Sequence, residues 1–165
     1  MTDDELAMAQ EDATLQRNFQ GYTSHGHCDL IGLGVSAISQ VGDLYTQNSN
    51  DLHDYQHQLA SDQLATKRGV RCNVDDQLRR AIIGQLICHF SLDIAVIERT
   101  FAIVFQDYFA DVWPQLLAMA EDGLLDINAT CLHIKPAGRL VARSICMVFD
   151  AYLNDSNRQR FSRVI

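Results

Sequence analysis

The chain has 165 residues, of which 47% are hydrophobic, and a formal net charge of −8 at neutral pH. This is enough apolar material for one core, or for a small domain with an appended segment. The acidic balance argues against nucleic acids and anionic lipids as partners, because binding to either depends on clustered Lys and Arg. No apolar run is long enough to span a bilayer and the first residues have no signal-peptide pattern, so we expect a cytoplasmic protein that does not bind membranes.

The first part of the chain predicts two helices and one buried strand. Thr2 and Glu5 have the spacing of a capping box, which predicts a helix over residues 3–15. Small and branched apolar residues alternate over residues 29–39, which is typical of a strand buried on both faces of an α/β sheet. A turn that ends at Asp51 predicts a cap for a surface helix over residues 52–65.

Two glycines interrupt the predicted strand. Gly32 and Gly34 weaken it as a plain strand, but a strand tolerates glycine where a ligand or another backbone comes close. We therefore expect a pocket at this strand end. Because one strand cannot form a sheet alone, residues 1–66 are expected to be an α/β fragment of a larger domain.

A polar, turn-forming stretch at residues 67–72 is interpreted as a linker, and helices dominate after it. Asn73 and Asp76 have cap spacing at the start of a core helix, and a shorter helix is expected from Asp93. A third helix is expected over residues 107–122, with Pro114 as a bend or a restart and Gly123 just after its end.

The last part of the chain predicts a hairpin followed by one helix. Residues 124–134 have the pattern of two short strands around a turn, and Pro136 suits the first position of a helix that carries Leu140 and Val141 on its apolar face. Three helices, a hairpin and a closing helix predict a mostly α, winged-helix-like domain over residues 73–165.

No metal site is predicted. The side chains of His25, His27 and Cys28 are possible ligands, but their glycine-linked crowding is unlike the usual spacings, and a polar loop is the better interpretation. His53 and His57 lie at i, i+4 beside two acidic residues, but two ligands without a third rarely make a physiological site. The five widely scattered cysteines fit reduced thiols.

Four segments together resemble a known enzyme family. They are Arg17-Asn-Phe-Gln-Gly-Tyr-Thr23, Gly32-Leu-Gly-Val-Ser-Ala-Ile-Ser39, Asp122-Gly-Leu124 and Phe161-Ser-Arg-Val-Ile165. With them the chain resembles, over nearly its whole length, the last third of oxygen-independent coproporphyrinogen III oxidases, which are radical S-adenosylmethionine enzymes. The resemblance implies that residues before about 70 finish a partial TIM-like barrel and that the later residues form a C-terminal helical domain.

The resemblance also implies an activity. Members of this family oxidatively decarboxylate two propionates of coproporphyrinogen III to vinyl groups, giving protoporphyrinogen IX, with S-adenosylmethionine and a [4Fe-4S] cluster bound by Cys-x-x-x-Cys-x-x-Cys. None of the five cysteines here has that spacing. We therefore expect this chain to be inactive without its partner, the missing N-terminal barrel, and we assign it no catalytic residue.

Site residues follow from the same resemblance. Ile38 matches the position where the family contacts a second S-adenosylmethionine, and Gly32 and Gly34 would allow the cofactor to come close. A substrate-side set carries Arg, amide and hydroxyl groups suited to propionates; it consists of Arg17, Gln20, Tyr22 and Thr23. The alternative is that Phe19 and Tyr22 pack while Gln20 and Gly21 make a turn.

Two other functions stay open. The first is the related haem-chaperone branch, which binds haem instead of oxidising its precursor. The second is a stand-alone winged-helix interaction module. Its basic tail, with Arg158, Arg160 and Arg163, offers few phosphate contacts, so docking on the parent protein is favoured over nucleic acid.

Overall fold

The computed structural model describes residues 4–155, with side chains as far as Leu153. The chain divides into two compact units, Met1–Gln77 and Leu78–Ile165. Both combine helices with antiparallel sheets. Within residues 4–155, no helix has both the length and the apolar character needed to cross a membrane.

The first unit contains two short helices and two small antiparallel sheets. The strands β1 and β2 form a hairpin, and the other three form a sheet in the order β3-β4-β5. The elements are α1 (Glu5–Glu11), β1 (Gln16–Asn18), β2 (Gly21–Thr23), β3 (Ile38–Val41), β4 (Leu44–Asn48), α2 (Leu52–Ala60) and β5 (Thr66–Arg71).

The predicted buried strand over residues 29–39 is wrong. Only its last two residues belong to β3, and an isolated bridge joins Leu30 to Gln40. The residues between form a loop in which Leu33 is 86% exposed. Gly34 has φ +111° and Ser36 has φ +62°, so the backbone leaves the extended region at both positions. The apolar composition of this segment predicts a buried strand, but the segment forms an exposed loop instead.

Other boundaries in the first unit also differ from prediction. Asp4 caps α1 by accepting hydrogen bonds from the amides of the second and third helical residues, so the helix begins later and ends earlier than expected; Thr2 lies outside the described residues. Asp51 caps α2 as predicted, but that helix ends at Ala60. The strand β5 occupies most of the stretch that the sequence predicts as a linker, residues 67–72, and all its side chains are exposed, which explains its polar, turn-like composition.

As far as residue 155, the second unit combines six short helices with one sheet, and a longer helix leads into it. Its sheet has the order β6-β8-β7, and the predicted hairpin is confirmed as β7 and β8. The elements are α3 (Val74–His89), β6 (Ser91–Asp93), α4 (Ile94–Phe101), α5 (Phe105–Tyr108), α6 (Trp113–Glu121), β7 (Leu125–Ile127), β8 (Cys131–Ile134), α7 (Pro136–Arg139), α8 (Ala142–Met147) and α9 (Ala151–Asp155).

Local sequence signals determine most helix starts here. Asn73 and Asp76 form the predicted cap reciprocally, with each side chain accepting the other's backbone amide at 2.9 Å. Asp93 caps α4 through the amide of Val96. Pro114 lies in the first turn of α6, where its missing amide costs nothing, so the expected bend is a restart.

An aromatic cluster forms the centre of this core. Phe105, Phe109 and Phe149 are fully buried, and their ring centroids lie 4.9 to 6.2 Å apart. The single closing helix predicted from Pro136 is instead three short helices. Because Val141 interrupts the helix with φ −118° and ψ 20°, the face expected to be apolar changes direction, and Leu140 is 92% exposed.

Candidate functional site

The glycine loop, residues 32–38, is built on a close approach between its two ends. Gly32 is buried, and a Cβ atom placed on it would lie 2.6 Å from the carbonyl oxygen of Ile38. Its amide donates a hydrogen bond to Ser39 Oγ at 3.0 Å. The backbones of two residues implied as cofactor contacts are therefore in contact with each other, and only glycine fits at the first of them.

Gly34 serves a different purpose in the glycine loop. Its φ of +111° lies in a region that L side chains rarely adopt, while the space beside its Cα is open. Its amide donates to Tyr55 Oη at 3.1 Å, and its carbonyl accepts from the amide of Ala37. This glycine therefore shapes the turn and leaves room beside it.

Asn48, at the end of β4, holds the glycine loop from the other side. Its Nδ2 donates to the carbonyl oxygens of Gly32, at 3.2 Å, and of Gly34, at 2.9 Å. The next residue of the chain, Ser49, accepts the amide of Ser36 through its own carbonyl at 2.8 Å. Sequence reasoning missed Asn48, because an asparagine in a turn-forming run reads as a turn residue and its long-range contacts leave no local signal.

The glycine loop and its approach present an apolar surface. Ile31, Leu33 and Val35 are exposed, and Ile38 is half-buried. Apolar side chains beside an open glycine suit contact with a flat organic group, because burial of apolar area stabilises such binding without directional bonds. Apart from the hydroxyl of Ser36, the segment from Gly32 to Ile38 carries only apolar side chains and glycines, so this surface is suited to binding and shaping a ligand.

The β1–β2 hairpin carries the proposed substrate-side residues. Arg17 lies opposite Tyr22, with its guanidinium carbon 5.3 Å from the ring centroid, and both side chains are exposed. Gln20 is also exposed, but Thr23 Oγ1 accepts the amide of His25 at 3.0 Å and so helps to shape the following turn. The hairpin brings the arginine and the phenol together on one surface.

The packing alternative for this hairpin holds in part. Phe19 contacts Tyr45 of β4 edge to face, with ring centroids 5.4 Å apart. Gly21 has φ +136°, as a tight turn after Gln20 requires. Phe19 therefore joins the hairpin to β4 through one ring contact, although 57% of its surface is exposed, and Tyr22 is 47% exposed.

The histidines and acidic residues considered as metal ligands are exposed, and some of them already bind other groups. His25 lies 3.8 Å from Glu5, which also accepts the hydroxyl of Ser24. Within residues 4–155, three or more possible ligand atoms come within 4.8 Å of one another only at Asp51, His53 and Asp54. All three side chains are exposed, and one oxygen of Asp51 already caps α2.

The five cysteines do not fit an iron–sulfur cluster. None of the five forms a disulfide bond, and they range from exposed Cys28 to buried Cys88 and Cys146. Burial, together with nearby Cys88, raises the pKa of Cys146 to about 11. Because no three of them have the spacing Cys-x-x-x-Cys-x-x-Cys, they do not form the local motif that wraps such a cluster. The fold and the glycine loop thus define a mixed helical and sheet segment that can contribute a binding surface to a larger enzyme.

Comparisons with known proteins identify that larger enzyme. Residues 73–141 match the family model described as the HemN C-terminal domain. The whole chain is 63% identical to part of the oxygen-independent coproporphyrinogen III oxidase of Pseudomonas aeruginosa, and 99% of it is 48% identical to part of the Escherichia coli oxidase. It covers 36% of each of these relatives, so it spans about a third of their length.

A solved structure agrees with these sequence matches. The match is to a structure described as coproporphyrinogen III oxidase (HemN) from Escherichia coli, a radical SAM enzyme, with TM-score 0.87 and 47% identity over 91% of this chain and 35% of that one. The chain therefore belongs to the oxygen-independent coproporphyrinogen III oxidase family, as the sequence resemblance implied. It corresponds to a segment that includes the family's C-terminal domain.

Proposed function

We propose that this chain is the part of an oxygen-independent coproporphyrinogen III oxidase that supplies a wall of the second cofactor site and a substrate-facing hairpin. The observation that carries the proposal is the 63% identity over the entire chain to a protein of that name, together with an exposed apolar glycine loop. The complete protein decarboxylates two propionates of coproporphyrinogen III to vinyl groups in the cytoplasm.

The cluster and the first S-adenosylmethionine belong to the preceding barrel. When bound, they supply the radical that removes a hydrogen atom from a propionate. Because no cysteines here can ligate the cluster, the present chain contributes binding surface and no redox chemistry of its own. By itself it has no decarboxylase activity.

Ile38 contacts the second S-adenosylmethionine in this proposal. Its half-buried side chain belongs to the same loop as Gly34, beside which the space is open, and its backbone lies close to Gly32. A cofactor with a flat adenine ring and a charged amino acid end fits such a surface, since the apolar side chains can cover the ring while loop amides and carbonyls remain close by.

Arg17, Gln20, Tyr22 and Thr23 face the substrate. Coproporphyrinogen carries propionate carboxylates, and an exposed guanidinium can bind a carboxylate through two parallel hydrogen bonds. Contact with the ring of Tyr22 keeps Arg17 near one orientation, which lowers the entropy lost on binding. Thr23 acts mainly by shaping the turn, because its hydroxyl oxygen already accepts a backbone amide.

The domain assignment is part of the same proposal. Residues 1–66 complete a partial TIM-like barrel with the preceding part of the protein, and residues 73–165 form a winged-helix-like domain. The order of elements α3, β6, α4, α6, β7 and β8, with β8 between the other two strands, supports the second assignment. The family match that begins at residue 73 supports the boundary.

The test is to fuse this chain to the preceding two-thirds of the Pseudomonas aeruginosa relative and to assay the product without oxygen. With S-adenosylmethionine and a low-potential reductant, the fusion should release carbon dioxide from coproporphyrinogen III, and the chain alone should release none. The proposed cofactor contact is tested in the same fusion with Ile38→Ala, which should raise the KM for S-adenosylmethionine.

One outcome would reverse the choice of function. A folded, cluster-loaded fusion that shows no decarboxylation but binds haem tightly, with a shift of the Soret band, would assign the chain to the haem-chaperone branch. Tight binding of another protein by residues 73–165 alone would favour the interaction module.

A further inference from the structure

We infer that Asn48 is a positioning residue for the second cofactor site, acting through the glycine loop and without touching the cofactor. This inference rests on the proposed function, because the loop matters for catalysis only if Ile38 contacts S-adenosylmethionine. The juxtaposition that carries it is one amide nitrogen placed between two carbonyl oxygens of the same loop.

The geometry makes Asn48 the main side-chain contact of that loop. Its Nδ2 donates to the carbonyls of Gly32 and Gly34, at 3.2 and 2.9 Å, and so uses both of its N–H bonds on positions two residues apart. Both carbonyls belong to glycines, whose backbones have the widest conformational freedom. A loop with two glycines therefore loses its main side-chain restraint if this amide is removed.

Three further side chains contribute to the restraint, and one of them is Gln47, whose Nε2 donates to the carbonyl of Ser36 at 3.1 Å. Tyr55 Oη accepts the amide of Gly34 at 3.1 Å, and Ser39 Oγ accepts the amide of Gly32 at 3.0 Å. Asn48 and Tyr55 are both half-buried, so water competes less for their hydrogen bonds than at an open surface. The backbone N–H and C=O groups of both glycines are thus all hydrogen-bonded to side chains from β3, β4 and α2.

Backbone hydrogen bonds at the end of β4 also hold the loop in place. Asn48 donates its own amide to the carbonyl of Ala37 at 2.9 Å, and Ser49 accepts the amide of Ser36. The main chain of residues 48 and 49 therefore fixes the end of the loop that carries Ile38, while the Asn48 side chain fixes its start. Removing only the side-chain amide should loosen the start and leave β4 intact.

The substitution Asn48→Asp tests this with almost no change in size. The new carboxylate has no N–H to donate and would face two carbonyl oxygens, which repel it. Asn50→Asp is the matched control: Asn50 is exposed and accepts Lys67 Nζ through Oδ1, a bond that an aspartate keeps. Tyr55→Phe, which removes only the acceptor of the Gly34 amide, is a second variant should Asn48→Asp fail to fold.

Two measurements decide the matter. Hydrogen–deuterium exchange on this chain should show faster exchange for peptides spanning residues 30–37 in Asn48→Asp and Tyr55→Phe, with no change in Asn50→Asp. In the active fusion, the KM for S-adenosylmethionine should rise by about fivefold or more in Asn48→Asp, the effect expected of losing one or two such hydrogen bonds, with kcat at saturating cofactor changed by less than about twofold.

The possible failures are distinguishable. Unchanged exchange in both variants would show that the loop does not depend on these side chains. Faster exchange with an unchanged KM, while Ile38→Ala still raises the KM, would overturn the role of Asn48 and leave the proposed function standing. An unchanged KM in Ile38→Ala would overturn the proposed contact between Ile38 and the cofactor, whatever Asn48 does to exchange, whereas a folded, cluster-loaded fusion that releases no carbon dioxide would overturn the proposed function.

Discussion

Arg79, near the start of α3, donates a hydrogen bond from Nη1 to the backbone carbonyl of Phe149 at 3.0 Å. The two residues are 70 positions apart. The same guanidinium lies over the ring of Phe109, 5.3 Å from its centroid. One side chain therefore joins the first helix of the second unit to the chain segment that closes the aromatic core.

Arg79→Lys should destabilise the second unit by about 1–2 kcal/mol, because lysine keeps the charge but loses the planar group that serves the carbonyl and the ring together. Urea denaturation followed by the fluorescence of Trp113, the only tryptophan, measures this directly. Arg143→Lys, at an exposed position on α8, is the matched control and should change the free energy of unfolding by less than about 0.5 kcal/mol. Equal midpoints for the two variants would contradict a structural role for Arg79.

The exposure of Leu140 leads to a second prediction. Phe109→Ala should cost about 3–5 kcal/mol, since it removes a fully buried ring that contacts two other phenylalanines. Leu140→Ala should cost less than about 0.5 kcal/mol, although the sequence pattern predicts that Leu140 lies on the apolar face of a helix. The same urea titration compares them, and a large loss for Leu140→Ala would mean that this side chain is covered in solution.

Gly32→Ala should disturb the glycine loop more than its size suggests. The added methyl group would lie 2.6 Å from a backbone oxygen, which cannot rotate away as a side chain can. We expect a loss of about 1–3 kcal/mol in the first unit, measured by thermal unfolding. Gly84→Ala is the matched control: it lies inside α3 with open space around it, so it should stabilise that helix by about 0.5–1 kcal/mol.

The thiols should differ widely in reactivity. The thiolate is the reactive form, so exposed Cys28 should react with iodoacetamide at pH 8 in the native chain. Cys146 should stay unmodified, because burial and nearby Cys88 raise its pKa to about 11 and keep it protonated. Mass spectrometry of native and urea-unfolded samples measures the difference, and rapid native labelling of Cys146 would contradict its burial.

The same raised pKa sets a direction for stability against pH. Above its ordinary pKa, near 9.0, the thiol of Cys146 ionises in the unfolded chain but stays protonated in the native one, whose pKa is about 11. The unfolded state therefore binds fewer protons, and the contribution of this group to stability is present below pH 9 and is lost as the pH rises towards 11. Cys146→Ala should reduce the slope of unfolding free energy between these two pH values.

Sequence reasoning located features that depend on neighbours in the chain. The caps at Asp51 and Asn73 were predicted correctly, because a cap needs only its own side chain and amides two or three residues away. It missed β6, whose three residues become a strand only by pairing with β8 some 40 positions later. No local pattern in Ser91-Leu-Asp93 carries that information.

The glycine loop shows the same division at the candidate site. The glycines at 32 and 34 were correctly marked as places of close approach or unusual φ, because glycine signals both locally. The extended conformation and the burial of the apolar side chains beside them were predicted wrongly, since an apolar run has the same sequence pattern whether it enters a sheet or forms an exposed loop. The side chain of Asn48 could not be assigned to them before the register of β3 and β4 was known.

The edge strand β5 carries positively charged side chains that oppose self-association. It lies at the border of its sheet, with every side chain exposed, and presents Lys67, Arg68 and Arg71. A bare border strand invites the same strand of another molecule to pair with it, and like charges oppose that pairing. Replacing these three residues with neutral ones should therefore make the protein aggregate when it is concentrated, while its core contacts stay unchanged.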